Sequence, residues 1–87
     1  GPVKENHQGI GAIWAALLRP HWELIRDGEP LPAWMVTLMM AALKIDRLRL
    51  VYNKDSYDDA IIYLKFTEEL QKEWQEEKDK KNLTVPF

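Results

Sequence analysis

The stretch Pro32-Ala33-Trp34-Met35-Val36-Thr37-Leu38-Met39-Met40-Ala41-Ala42-Leu43 decides the fold. Its apolar side chains, from Trp34 through Leu43, cover nearly the whole circumference of a helix. A helix that is apolar all round is buried all round. In a chain of 87 residues that demands neighbours on several faces, and a second copy of the chain is the natural supplier of the missing ones. Pro32 suits the first turn, where its absent N–H costs nothing. After Leu43 the pattern changes. Lys44, Asp46, Arg47 and Arg49 alternate with Ile45, Leu48, Leu50 and Val51, so the second half, to about Tyr52, is amphipathic and charged.

Two further long helices flank this one. Upstream, Ile10, Ile13, Trp14, Leu17 and Leu18 fall at i, i+3, i+4, i+7 and i+8, one stripe of a helix over about Glu5 to Arg19. Gly9 and Gly11 weaken its first turns, and Pro20 limits it. His21 to Arg26 can form a short helix stopped by Asp27-Gly28, and Glu29-Pro30-Leu31-Pro32 reads as an extended connector. Downstream, Asp55 or Ser56 is a ready N-cap. Asp58 and Asp59 lie in the first turn, where the helix dipole favours negative charge. Ala60, Tyr63, Phe66, Thr67, Leu70 and Trp74 mark one side, widened by Ile61 and Leu64, with fraying expected past Glu77. The fold class is all-α: a small helical bundle of three main helices plus one short one, expected to be dimeric. Gly1-Pro2 looks like a tag remnant, so residues 1–4 are expected to be flexible, 5–77 to form a single domain and 78–87 to be a mobile tail.

Composition narrows the function. Twelve Lys and Arg against fourteen Asp and Glu give a net charge of −2, which argues against a nucleic-acid binder. The absence of Cys removes disulfides, thiolate metal sites and thiol nucleophiles, and fits a reducing compartment. The apolar run at 33–43 is too short to span a bilayer. Four Trp in so short a chain is unusual, and aromatic residues are enriched at interfaces. Trp22, Trp34, Met35 and Trp74 are the candidate contact residues, methionine because its flexible side chain suits adaptable apolar surfaces.

No stock catalytic motif occurs: no phosphate loop, no His-Glu-x-x-His, no nucleophile elbow. His7 and His21 are too few and too far apart in sequence to define a metal site. One polar constellation deserves weighing. A short connection around Asn53 implies an antiparallel hairpin, in which Lys44 and Arg47 near the end of one helix meet Asp55, Asp59 or Tyr63 near the start of the next. The cluster reads either as an ion-pair network that sets hairpin register or as a metal-phosphate site. In the second case carboxylates take Mg²⁺ and cations take phosphate.

The runs Glu5-Asn6 with Ile10, Ala12 and Trp14, then Val36-Thr37-Leu38-Met39-Met40 leading to Leu43-Lys44 and Arg47-Leu48, then Asp55-Ser56-Tyr57 with Asp59 and Tyr63, resemble a family of small phage and prophage proteins, a domain of unknown function. The resemblance covers roughly Glu5 to Leu64 and implies a compact helical domain acting in the cytoplasm of a bacterial host. That family is in turn distantly similar to the all-α, MazG-like nucleotide pyrophosphohydrolases, Mg²⁺ enzymes that work as dimers or larger oligomers. The similarity implies places for Asp59, Asp55 and the Lys44/Arg47 pair, with Glu5 nearby. The departures are specific. Glu5 stands alone, because Gln8 occupies the i+3 place of an expected Glu-x-x-Glu, and Met35 stands where an acid is expected. The stretch Arg19 to Pro32 is longer than the family's connector. The chain therefore reads as the scaffold without the site: a protein that acts by binding a second copy or a host or phage partner, without cofactor. The alternative is a divergent Mg²⁺-dependent nucleotide pyrophosphohydrolase or a nucleotide-binding remnant.

Overall fold

The computed structural model describes residues 2–84, with side chains through Lys81. Four helices follow one another: α1 (Pro2–Leu18), α2 (Trp22–Arg26), α3 (Ala33–Leu48) and α4 (Lys54–Thr84), with a single 3-10 turn, Arg19–His21, between the first two. No strand occurs among the described residues. The fold is an all-α small bundle. Helix α1 begins at Pro2, ahead of the expected start at Glu5, and α4 runs on to Thr84, past the point where fraying was expected. The end of the expected tail, 85–87, lies outside the described residues.

The helix boundaries have local causes. Pro20 sits in the 3-10 turn that separates α1 from α2. Helix α2 closes through a Schellman motif: Gly28 N–H donates to the Ile25 carbonyl and Glu29 N–H to that of Leu24, both at 3.2 Å. Gly28 takes the required positive φ of 76°, which a residue with a Cβ rarely adopts. Pro32 precedes α3, and its carbonyl accepts the amides of Met35 and Val36. Helix α4 is capped by Asn53, not by Asp55 or Ser56: its Oδ1 accepts the Ser56 amide at 3.1 Å. Asn, Asp and Ser rank as near-equal caps, so residue type does not favour the expected Asp55 or Ser56 over Asn53.

Helix α3 is the centre. It packs along α4 on one side, while α1 lies against its other side. The α3–α4 seam is lined by small or polar residues, Ala41, Ala60, Ser56 and Thr67, all buried, which lets the two backbones approach closely. Register is set by three pairs. Trp34 and Trp74 rings lie 5.3 Å apart, the Thr37 and Thr67 hydroxyls 2.7 Å, and Lys44 Nζ and Asp59 Oδ2 3.1 Å. The α1–α3 seam is held by Ile10 and by the Trp14 indole N–H, which donates to the Met39 carbonyl at 2.8 Å.

The molecule measures 56 × 27 × 15 Å. A closed three-helix bundle has nearly equal cross-sections; this one is almost twice as wide as it is thick, a layer with α3 in the middle. Its radius of gyration is 15.9 Å, against about 12 Å for a compact chain of this length. Its accessible surface is 6848 Å², against about 5,300 Å² for a compact monomer of this mass. Part of the excess belongs to the long α4. The rest lies on the open faces of the layer.

Candidate functional site

The open face between α1 and α4 is where the apolar character of α3 goes unmet. Leu38, Ala41, Ala42 and Ile45 recur at i, i+3, i+4 and i+7 on α3, so they share one face. With Ile13 and Leu17 of α1 and Leu64 of α4 they line a groove of about 230 Å³ made of apolar residues alone. Its rim is exposed: Ile45 is 49% accessible, and Ile61, one turn before Leu64 on α4, is 61% accessible. Tyr57 continues the same stripe of α4 and is also exposed. Ridge and groove lie side by side on one surface.

The interface candidates fare differently. Trp34 and Met35 are buried inside their own chain, at 4% and 1% accessibility, and so do not offer contact surface. Trp34 packs between His21, edge-on at 5.4 Å, and Trp74. The all-round apolarity of α3 misled here, because its first turn is covered by α4 and by the α2 region. Trp74 is half-buried, with Lys78 Nζ 4.2 Å from its ring centroid. Trp22 is the one that faces solvent, 60% accessible, beside Leu18 and Ile25. Phe66 also faces solvent rather than α3.

The polar cluster comes apart into separate pairs. Lys44 and Asp59 form the ion pair across the α3–α4 seam. Asp55 and Arg47 are exposed, and Tyr63 is half-buried on α4 with its carbonyl accepting the Thr67 hydroxyl. Asp58 is bridged by Lys54 at 2.7 Å, and this contact raises the Lys54 pKa above its ordinary 10.5, first through the hydrogen bond and then through charge attraction. Glu5 is exposed on α1, one turn before Gly9. That places it on the side of α3 that carries Asp46, away from the Lys44–Asp59 pair.

Asp46 is the residue that sequence reasoning missed. It looks like one charge of an amphipathic face, yet it is 2% accessible and accepts a 2.7 Å hydrogen bond from Arg49 Nε. The reason sits on α1. A Cβ at Gly9 would stand 2.8 Å from an Arg49 guanidinium nitrogen and 3.3 Å from Asp46 Oδ1, so the glycine gives α1 room to close over the pair. The only signal was Gly9 itself, a costly residue inside a helix. Trp34 Nε1 is buried without an acceptor, a state that typically costs about 1–3 kcal/mol.

Among the described residues, no three His, Asp or Glu side chains gather closely enough to hold a metal ion. No helix among them is long and apolar enough to cross a membrane. Compared with known proteins, residues 1–71 match a domain of unknown function, DUF6378. The chain belongs to the DUF6378 family. No curated protein and no solved structure matches it. The DUF6378 match takes in α1, α2, α3 and α4 as far as Gln71, and so includes the apolar groove and the Lys44–Asp59 and Asp46–Arg49 ion pairs.

Proposed function

We propose that this DUF6378 protein works by binding, as a homodimer formed through the groove between α1 and α4, in the phage and host-cytoplasm setting that its resemblance implies. The observation that carries the reading is the groove itself: Leu38 and the exposed Ile45 of α3, over a floor of the buried Ala41 and Ala42, line an apolar concavity with Ile13, Leu17 and Leu64. A second copy is the favoured occupant for two reasons. A stable interface buries about 800 Å² per partner, and the open faces of the layer hold the part of the chain's excess surface, about 1,500 Å² in all over a compact monomer, that the long α4 does not account for. The ridge of Tyr57, Ile61 and Leu64 also adjoins the groove, so a two-fold axis lets each copy seat its ridge along the other's groove, a self-complementary arrangement.

The alternative, a Mg²⁺-dependent nucleotide pyrophosphohydrolase, needs converging carboxylates. Asp46 is tied to Arg49, Asp58 to Lys54 and Asp59 to Lys44, which favours binding over catalysis. Light scattering coupled to size exclusion tests the dimer. A mass of about 20 kDa, twice the 10.2 kDa chain, is expected at high micromolar concentration. Ile61→Glu and Ile45→Glu, both at exposed positions, are expected to weaken self-association at least tenfold while the helical circular dichroism is kept. A monomer at every concentration overturns the reading. Release of pyrophosphate from any nucleoside triphosphate with Mg²⁺ or Mn²⁺ would replace it with the alternative.

A further inference from the structure

A second concavity lies elsewhere on the layer, and neither the dimer face nor the polar pairs make use of it. It measures about 540 Å³, is walled by Leu24, Trp34, Leu70 and Trp74, and is rimmed by Glu29, Glu73 and Glu77, with Lys81 at one end. This volume lies within the ordinary range for ligand sites. One wall is the Glu29–Pro32 connector set in place by the Gly28 turn; the other is α4 beyond the middle of its length. Trp74 and the acids Glu73 and Glu77 lie past Gln71, outside the residues matched to the family, so the cavity is partly built from what this chain adds.

Its charge is one-sided. Glu69, Glu73 and Glu77 follow one another at i, i+4 along α4, a spacing at which like charges repel, and Lys81 stands at i+4 from Glu77. Three carboxylates around one amine make the rim negative. Beneath it lie two indoles, and Trp74 already takes a cation, Lys78 Nζ at 4.2 Å. The other indole, Trp34, carries the buried N–H that lacks an acceptor. Phe66, Leu70, Glu73 and Glu77 recur at i, i+4, i+7 and i+11, so an exposed apolar residue leads along α4 into the cavity.

The geometry points to a docking site for a basic, partly apolar segment of another protein, whose lysine or arginine stems lie against Trp74 and Leu70, above the buried Trp34, and whose charged heads meet Glu29, Glu73 and Glu77. Long basic side chains combine an apolar stem with a charged head, and tryptophan is the best aromatic partner for a cation. The site is independent of the dimer face, because none of its lining residues belongs to the α1–α4 groove.

Titration of the protein with a blocked peptide, acetyl-Leu-Arg-Leu-Lys-amide, followed through the four indole N–H resonances, tests the proposal. The Trp34 and Trp74 signals are expected to shift with saturation, and the Trp14 signal to stay put. Glu73→Gln with Glu77→Gln, on the exposed side of α4, is expected to weaken binding about tenfold without loss of helicity, and Ile61→Glu to leave it unchanged. Absence of a shift at millimolar peptide overturns the proposal. So does an equal response to the peptide with Glu in place of Arg and Lys, or an unchanged affinity in the double variant. An equal response to spermidine would assign the cavity to a small polyamine and overturn a protein segment as its occupant.

Discussion

The two seams of α3 are built on different logic. Toward α4, Trp34–Trp74, Thr37–Thr67 and Lys44–Asp59 are spread along the helix, so register is specified several times over. Toward α1 there is one indole hydrogen bond, one buried isoleucine and a glycine lying over the buried Asp46 and its half-exposed partner Arg49. The first seam tolerates the loss of any one pair better in geometry than in energy. The second depends on a single position remaining without a side chain. Redundant polar and aromatic pairs make α3–α4 the stable hairpin, and α1 closes one side of the layer only as far as Gly9 permits.

Trp34→Ala attacks the stronger seam. It removes a fully packed indole, and a loss of about 3–5 kcal/mol is expected in urea unfolding, enough to threaten a domain of this size. Changes on the weaker seam separate the two glycines of α1. Gly9→Leu drives a side chain into Arg49 and Asp46, and overpacking of this kind costs about 1–3 kcal/mol. Faster amide exchange is expected throughout α1, with α3 and α4 still protected. Gly11→Ala meets nothing within 4 Å and is expected to stabilise by up to about 1 kcal/mol through helix propensity. Equal outcomes at the two positions would dissolve the contrast.

The smallest effect concerns the first turn of α4. Because Asp58 raises the pKa of Lys54 above 10.5, the stabilisation is complete below the ordinary lysine value and is lost as pH rises through the raised one. Thermal melts of wild type and Lys54→Met between about pH 9 and pH 12 are expected to differ at the lower end and converge at the upper end.

Most of the helical layout was legible, because proline, glycine and apolar spacing act locally. Pro20, Pro32 and the Asp27-Gly28 stop mark boundaries where they are found, and the hairpin register follows from a short turn at Asn53. What could not be read depends on distant neighbours. Whether Trp34 and Met35 are buried or offered to a partner is decided by where α4 and the α2 region fold back. The burial of Asp46 is decided by a glycine thirty-seven positions upstream. A helix wheel of α3 shows that it needs covering all round, but not which side its own chain covers.

The Trp34–Trp74 contact has an optical consequence. Two indoles 5.3 Å apart and tilted by 57° couple their electronic transitions in a chiral arrangement, and one ring belongs to α3 while the other belongs to α4. The near-ultraviolet circular dichroism of the chain therefore carries a signal that exists only while the hairpin is closed. The exposed Trp22, on the far side of the Gly28 turn, does not take part in it. The protein thus reports on the closure of its own central seam without any label.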